Sequence, residues 1–492
     1  MDIIKVGLKN HSMLVVETDF GIMQELSEYF SFFVPGYKFM PKFKNKKWDG
    51  KIRLFDAKAR TLNVGLFNKL KLFASERHYA IECIKTRFGL PNDTNEIDPQ
   101  NIWDNCSKAS AKFKLRDYQF DAVCQGIKNK RTILLSPTGS GKSFIIYNLM
   151  MWYLQNYDKN ILVVVPTTSL VEQMRSDFEL YGFDVENNLH TIYSGKEKNT
   201  GKRIIVSTWQ SIYKLPPHWF HQFGALFGDE CHGFKSESLS SIMNKSINAE
   251  YRFGTTGTLD GTQTHKLVLE GLFGPVYKVT TTKKLQDSNT LAALKITVLL
   301  LKYKEETAKS LDIPKYQTEI DFLVSHDKRN NFIGNLAVSQ KGNTLVLFNF
   351  VQKHGNPLYQ IIRDKAHEKR KIFFVSGDTK TTDREAIRKI VEKQTDAIIV
   401  ASLGTFSTGI NIRNIHNIIF ASPSKSQIRV LQSIGRGLRK SDNGETTKLF
   451  DIADDLHIGT KSNYTLLHSA ERLKIYKKEE FPVNIVPVDI EK

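Results

Sequence analysis

From about Leu115 onward, hydrophobic positions arrive in short, almost unbroken runs: TILLSP, NILVVVPT, RIIVSTW and ALFGDE, then NTLVLFNF, KIFFVSG, DAIIVAS, NIIFASP and KLFDIAD. Stretches of helical periodicity lie between them. Side chains alternate across a sheet, so a strand that is apolar at successive positions must bury both of its faces. The runs therefore predict parallel strands covered by helices on both sides. A polar, charged stretch around 283–330, with the single apolar block ITVLLL, separates the two groups. The pattern predicts an α/β fold of two tandem doubly wound parallel-sheet domains, over 113–285 and 286–455.

Before Leu115 the pattern loosens, and the polar segment GLPNDTNEIDPQN reads as a linker. Residues 1–112 are expected to form a small N-terminal α+β domain with that linker. After Asp455 an amphipathic stretch, His468 to Tyr476, precedes KKEEFPVNIVPVDIEK, which predicts a C-terminal helical tail over 456–492. No internal repeat or low-complexity tract stands out.

The first run leads into Ser136-Pro137-Thr138-Gly139-Ser140-Gly141-Lys142-Ser143, followed by an amphipathic stretch ending near Tyr153. Strand, glycine-rich loop and helix in that order form a phosphate cradle. Glycines let backbone N–H groups turn inward, and the helix offers its positive N-terminus to the same anion. Lys142 would reach the β- and γ-phosphates, and the Ser143 hydroxyl would ligate Mg²⁺. Pro137, Thr138, Gly139, Ser140 and Gly141 supply the loop backbone. The full pattern asks for glycine where Ser136 stands, and an ordinary glycine-rich turn is the alternative. A nucleoside triphosphate is the expected ligand.

About ninety residues later, Phe227-Gly228-Asp229-Glu230-Cys231-His232 closes another apolar run. An aspartate at the C-terminal end of a strand in such a sheet holds Mg²⁺, partly through water, and Asp229 suits that role. Glu230, one residue on, is the candidate general base for the attacking water. Elsewhere such a pair is mere solvated charge; its position after a phosphate loop gives it meaning.

Composition then narrows the partner. In 492 residues, 70 Lys and Arg stand against 52 Asp and Glu, a net charge of +18 and a sequence pI near 9.4, which favours a polyanion. Between Ser31 and Leu90 there are fourteen basic residues and four acidic ones. The densest part, Gly36 to Arg53, interleaves Lys42, Lys44, Lys46, Lys47, Lys51 and Arg53 with aromatics that include Trp48. Lysines there can neutralise phosphates, and aromatics can stack on unpaired bases or wedge at a junction. The competing reading puts the aromatics in the small domain's own core. Cys83, Cys106, Cys124 and Cys231 are far apart, which suggests neither a zinc cluster nor a disulfide framework. No apolar run approaches membrane-spanning length and the N-terminus lacks a signal-peptide core, so a cytoplasmic protein, monomeric and without a membrane partner, is expected.

The ordered set SPTGSGKS, VPTTSLVEQM, VSTWQSI, DECH, GTTGT, VSGDT, FSTGINI and QSIGRGLR resembles the motifs of superfamily 2 helicases and translocases over roughly Phe113 to Asp455. The resemblance implies two RecA-like domains that use ATP and Mg²⁺. In LRDYQ, Gln119 would read adenine with Arg116 beside it. Gln432, Arg436 and Arg439 recur at intervals of four and three, and the two arginines would stabilise transition-state charge on the γ-phosphate. His232 would couple the first domain to Gln432, and Thr255, Thr256 and Thr258 would link hydrolysis to strand movement. A packed histidine and a turn of small residues are the plain alternatives. Thr167, Thr168, Gln173, Thr208, Trp209, Gln210, Ser376, Thr405 and Thr408 match positions that contact nucleic-acid phosphates, though such hydroxyls also cap helices. Gly409 matches a close approach to the nucleotide.

Two departures matter. Asn411 replaces a common aspartate, and DECH with GTTGT, instead of D-E-A-D with S-A-T, weakens an RNA-helicase reading. With its basic N-terminal segment, the chain resembles the phage-encoded recombination and repair helicases of this superfamily. That implies remodelling of branched DNA: junction migration, fork regression, and unwinding of D-loops or RNA–DNA hybrids. The alternatives are a duplex translocase that displaces strands or proteins without general unwinding, an RNA helicase, and a nucleic-acid binder that keeps ATP as a switch.

Overall fold

The structure, a computed structural model, describes all residues except 1, 92, 110–111, 260–262, 289, 312–315, 410–411, 413, 423–445 and 492. They form two compact units, 1–136 with 141–279 and 137–140 with 280–492.

The first unit opens with a small α+β domain of seven strands: β1 (Ile3–Leu8), β2 (Met13–Glu17), β3 (Ser31–Phe33), β4 (Lys51–Arg53), β5 (Phe55–Asp56), β6 (Thr61–Asn63) and β7 (Ala80–Ile84). Five of them build a sheet in the order β5-β6-β2-β1-β7, while β3 and β4 pair separately as an antiparallel ladder. Leu14 and Val16 alternate inward along β2 and meet Ile22 and Leu26 of helix Phe20–Tyr29 and Leu70 and Phe73 of helix Phe67–Glu76. Met13 and Val15, on the other face of β2, are only half-buried, so this strand buries one face fully.

This domain is fastened to the rest of its unit by the turn between β1 and β2. His11 N–H donates to Ile247 O (3.0 Å), Ser12 Oγ donates to Met243 O (3.1 Å), and Arg131 Nη2 donates to His11 O (2.5 Å). At Gly65 a Cβ would lie 1.9 Å from the Glu270 carbonyl oxygen, so the backbones meet where only glycine fits. The polar segment read as a linker is also laid down on the α/β part. Asn95 N–H bonds Lys128 O (2.9 Å), and Lys130 pairs with both Asp93 (2.9 Å) and Glu250 (2.7 Å).

The first unit's large sheet contains β8 (Arg131–Leu135), β9 (Asn160–Val165), β10 (Leu189–Ile192), β11 (Ile204–Thr208), β12 (Phe223–Asp229), β13 (Tyr251–Thr256) and β14 (Val276–Lys278), in the order β10-β11-β9-β12-β13-β8-β14. Every pairing is parallel. Along β9, Ile161, Val163 and Val165 enter one core, and Leu162 and Val164 enter the other. Both faces are buried, as the unbroken apolar runs require. Strand β13 escaped that reading because Arg252 interrupts it. Its guanidinium is fully buried and donates to Ala249 O, Ser246 O and Ser12 Oγ.

The second unit repeats the plan with β15 (Leu294–Lys302), β16 (Thr344–Phe348), β17 (Ile372–Val375), β18 (Ile398–Ser402), β19 (Asn417–Phe420), β20 (Thr447–Asp455) and β21 (Val483–Asp489), ordered β17-β18-β16-β19-β20-β15-β21 and all parallel. The fold class read from the pattern is thus the observed one. The segment expected to be a helical tail needs correction. Its helix Tyr464–Lys478 is followed by β21, which extends the sheet beside β15. Pro487 sits in that strand because an edge strand can do without one N–H.

Candidate nucleotide site and nucleic-acid surface

The site residues of the first unit stand at the C-terminal ends of its parallel strands, where loops leave the sheet. β8 runs into Ser136, which is fully buried and donates its backbone N–H to Thr256 O (2.9 Å). A serine is accommodated here because the chain still follows the neighbouring strand. The loop turns through Gly139 (φ +84°) and Gly141 (φ +81°). A Cβ on Gly141 would come within 2.4 Å of Gln119 Nε2, so sterics and φ both demand glycine. The helix Lys142–Asn156 starts at once with no side-chain cap, leaving its positive end towards the loop. Lys142 Nζ reaches back to Ser136 O (3.3 Å), and Ser140 Oγ closes the turn on Pro137 O (2.6 Å).

Gln119 is buried and its Oε1 accepts from Arg116 N–H (2.9 Å), capping its own helix Asp117–Asn129; Arg116 itself is exposed, with Nη1 on Tyr118 OH (3.0 Å). Gln119 thus adjoins the loop it was expected to serve.

The second cluster forms at the ends of β12 and β13. Their register sets Asp229 opposite Thr255, and Thr255 Oγ1 donates to Asp229 Oδ1 (2.7 Å). Burial, then the neighbouring Glu230 charge, holds the Asp229 carboxyl above the usual range, opposed by the Lys142 ammonium and the Thr255 bond. Such a carboxylate gains from a cation. Glu230 has φ +48° and ψ +48°, an uncommon conformation for a residue with a side chain, and it heads the turn Cys231–Lys235. His232 Nδ1 lies 3.3 Å from Glu230 Oε2 and 3.0 Å from Thr256 Oγ1. Thr256 Oγ1 donates to Thr258 O (2.9 Å). DECH and GTTGT are therefore one hydrogen-bonded cluster. Cys231 is buried, with its thiol pushed well up by desolvation, and plays no nucleophilic part.

Tyr181 joins the site with no signal in the sequence. Its hydroxyl is 2.9 Å from Ser143 Oγ, and its ring rests against Phe144, Tyr147 and Phe113. At 38 positions from Ser143, no local spacing could have flagged it.

The expected nucleic-acid contacts fall into groups at strand ends. After β9, Thr167 caps helix Thr168–Leu180 by accepting from Leu170 N–H (3.4 Å), and Gln173 is exposed on that helix. After the adjacent β11, Thr208 is buried with Oγ1 at 2.9 Å from Ser211 Oγ, Trp209 is half-buried against Tyr213, and exposed Gln210 bridges to Pro166 O (3.3 Å). In the second unit, Ser376 follows β17 and accepts from Asp378 N–H (3.4 Å), while Thr405 follows β18 and accepts from Ser402 Oγ (2.7 Å). Thr408 and Gly409 close the helix Leu403–Gly409. Gln432, Arg436 and Arg439, like Asn411, lie outside the described residues.

In the N-terminal domain, Lys42, Lys44, Lys46 and Lys47 are exposed on the connection between β3 and β4. Their hairpin neighbours are engaged locally. Trp48 Nε1 donates to Lys51 O (2.9 Å), Lys51 Nζ lies 5.0 Å over the Phe33 ring, and Arg53 pairs with Asp49.

Residues 2–83 match the family described as DNA helicase UvsW, N-terminal; residues 112–261 match type III restriction enzyme, res subunit; residues 327–441 match the helicase conserved C-terminal domain. The DNA 3'-5' translocase XPB2 of Sulfurisphaera tokodaii is 27% identical over 67% of this chain and 80% of its own. The crystal structure of T4 UvsW superposes with a TM-score of 0.53 at 33% identity, covering 100% of each chain. The ATP-dependent DNA helicase uvsW of Enterobacteria phage T4 is 35% identical across 97% of this chain and 98% of its own. Likeness of that extent, over a chain carrying the phosphate loop and both carboxylates, means that this protein belongs to the UvsW family of ATP-dependent DNA helicases.

Proposed function

We propose that the chain couples ATP hydrolysis to the remodelling of branched DNA: four-way junctions, stalled forks, and D-loops or RNA–DNA hybrids. One observation carries the reading. Lys142, Ser143, Asp229 and Glu230 share one compact unit with a basic domain of the UvsW N-terminal family, fastened through the β1–β2 turn. A module that grips DNA can then transmit the motor's movement to it.

In this reading the loop backbone and Lys142 hold the triphosphate. Ser143 and Asp229 would hold Mg²⁺, and the donor set fits: a hydroxyl and a buried carboxylate from the protein leave other positions for phosphate oxygens and water. When bound, the metal neutralises charge on the phosphates. Glu230 takes the proton of the attacking water, with its carboxylate positioned beside His232. By the resemblance to superfamily 2 helicases, Gln432, Arg436 and Arg439 would serve the same reaction.

The test is steady-state ATPase with no nucleic acid, single-stranded DNA, linear duplex, a fork, a four-way junction and single-stranded RNA, with Lys142→Ala as the inactive control. Greatest stimulation by fork and junction is expected. Stimulation by RNA alone, or by nothing, overturns the reading. Similarity to a protein named a 3'-5' translocase favours a second reading, movement along duplex without strand separation. Displacement of a triplex strand without unwinding of forks would select it.

A further inference from the structure

The connection between β3 and β4 presents one aromatic ring almost wholly to solvent, while Tyr37, Phe43 and Trp48 are half-buried. Gly36 (φ +73°) starts a short 3₁₀ turn, Tyr37–Phe39, and helix Pro41–Lys44 follows directly. Tyr37 is the internal post of this loop. Its ring stacks on Phe33 (4.7 Å between centroids, 25°) and meets Phe43 edge-on (4.8 Å, 89°). Gly50 (φ +84°) makes room for it, since a Cβ there would stand 2.3 Å from Tyr37 Cδ2. Phe39, two residues beyond Tyr37, is 80% exposed, next to Met40 at 37%.

An exposed phenylalanine gains nothing for folding, and its surroundings are unusual. Lys38, Lys42, Lys44, Lys46 and Lys47 are all exposed on the same loop, and among the described residues none pairs with a carboxylate. An apolar protein partner would not favour five uncompensated ammonium groups. Nucleic acid suits both features, because phosphates neutralise lysines and an unpaired base offers a π-face to an aromatic ring. In a duplex the bases are stacked and inaccessible to a side chain that does not enter the stack. At a branch point the first unpaired base is open.

We infer that Phe39 is a branch-recognition residue: it stacks on the unpaired base at a duplex–single-strand junction of DNA while the surrounding lysines hold the flanking phosphates. The inference rests on the branched-DNA reading and adds the residue and the base contact that give selectivity. It also separates two roles that the sequence left joined. Trp48 and Tyr37 are framework, and Phe39 is the contact.

The experiment measures binding of the full chain to a fork and to a blunt linear duplex of equal length, each across a range of salt, for wild type, Phe39→Ala and Phe39→Trp. Being exposed, the side chain can be changed without disturbing the core, and circular dichroism checks this. Phe39→Ala is expected to lose at least about fivefold in fork affinity, with duplex affinity and salt slope unchanged, and Phe39→Trp to restore it. If wild type binds fork and duplex alike, the branched-DNA reading itself fails. If wild type prefers the fork and Phe39→Ala keeps that preference, or loses affinity for both DNAs equally, the inference is overturned while the reading stands.

Discussion

His232 Nδ1 stands 3.0 Å from Thr256 Oγ1 and 3.3 Å from Glu230 Oε2, so one imidazole joins the carboxylate turn after β12 to the end of β13. The direction of the bond follows from its neighbours. The Thr256 hydroxyl proton is committed to Thr258 O, so the oxygen accepts from His232, and Nδ1 is the protonated nitrogen. Thr256→Val removes the acceptor and leaves the imidazole to Glu230 alone. DNA-stimulated ATP turnover should fall about 3- to 10-fold, the worth of one neutral hydrogen bond, at unchanged nucleotide affinity. Thr256→Ser should keep wild-type rates. Steady-state kinetics alongside fluorescent-nucleotide binding would separate the two effects.

Glu230→Gln keeps shape and removes the base. Turnover should drop about 10²- to 10⁴-fold, while nucleotide still binds. Asp229→Asn should act differently, weakening binding in a way that depends on Mg²⁺ concentration. A Glu230→Gln protein hydrolysing ATP at the normal rate would remove Glu230 from the mechanism.

The residues that could be read from the sequence are those whose role depends on local order. Gly139, Gly141 and Lys142 form one loop, and Asp229 and Glu230 end one strand; a few consecutive positions contain all the information. The unbroken runs of β9 and β11 revealed a doubly covered sheet because both faces meet apolar cores. Strand β13 stayed hidden behind Arg252, whose partners Ser12, Ser246 and Ala249 are supplied by tertiary structure. The Ser143–Tyr181 contact and the exposure of Phe39 were likewise invisible, since folding alone decides which aromatic is framework and which is surface. Strand β21 reads as tail in the sequence because Pro487 breaks its alternation, a break that only an edge position tolerates.

The C-terminal helix is held by a buried ion pair. Arg472 and Asp451 are both fully buried, with Nη2 to Oδ1 at 2.7 Å, and Tyr476 OH donates to the other carboxylate oxygen at 2.8 Å. Arg472→Ala leaves Asp451 charged and uncompensated, which should cost about 3–5 kcal/mol. Deleting the charge on both sides, Arg472→Met with Asp451→Asn, should cost less than the sum of the single changes. Urea unfolding midpoints of wild type, Arg472→Ala, Arg472→Met, Asp451→Asn and the double variant give the comparison. A loss under 1 kcal/mol for Arg472→Ala would mean the helix does not depend on this pair.

Acid should weaken the second unit through His354. Its side chain is fully buried at the turn Val351–Gly355, with Nδ1 2.8 Å from Ser422 Oγ. Desolvation, then the charge of Arg329, lowers its pKa from 6.5 to about 3. In the unfolded chain the imidazole takes up a proton below about pH 6.5, and in the folded chain it stays neutral down to about 3. The unfolded state therefore binds more protons throughout that window, and stability falls as pH falls, by about 1.4 kcal/mol per pH unit for this one group. Between pH 7 and pH 5 the loss is about 2 kcal/mol. His354→Gln removes the titrating group, so its stability should decline with acid by one proton less than wild type, even if its absolute stability is lower. His11, also lowered to about 3, adds a parallel slope in the first unit that the variant leaves untouched. Unfolding midpoints measured from pH 5 to 7 decide the matter: equal slopes in wild type and variant would mean that His354 is already protonated in the fold.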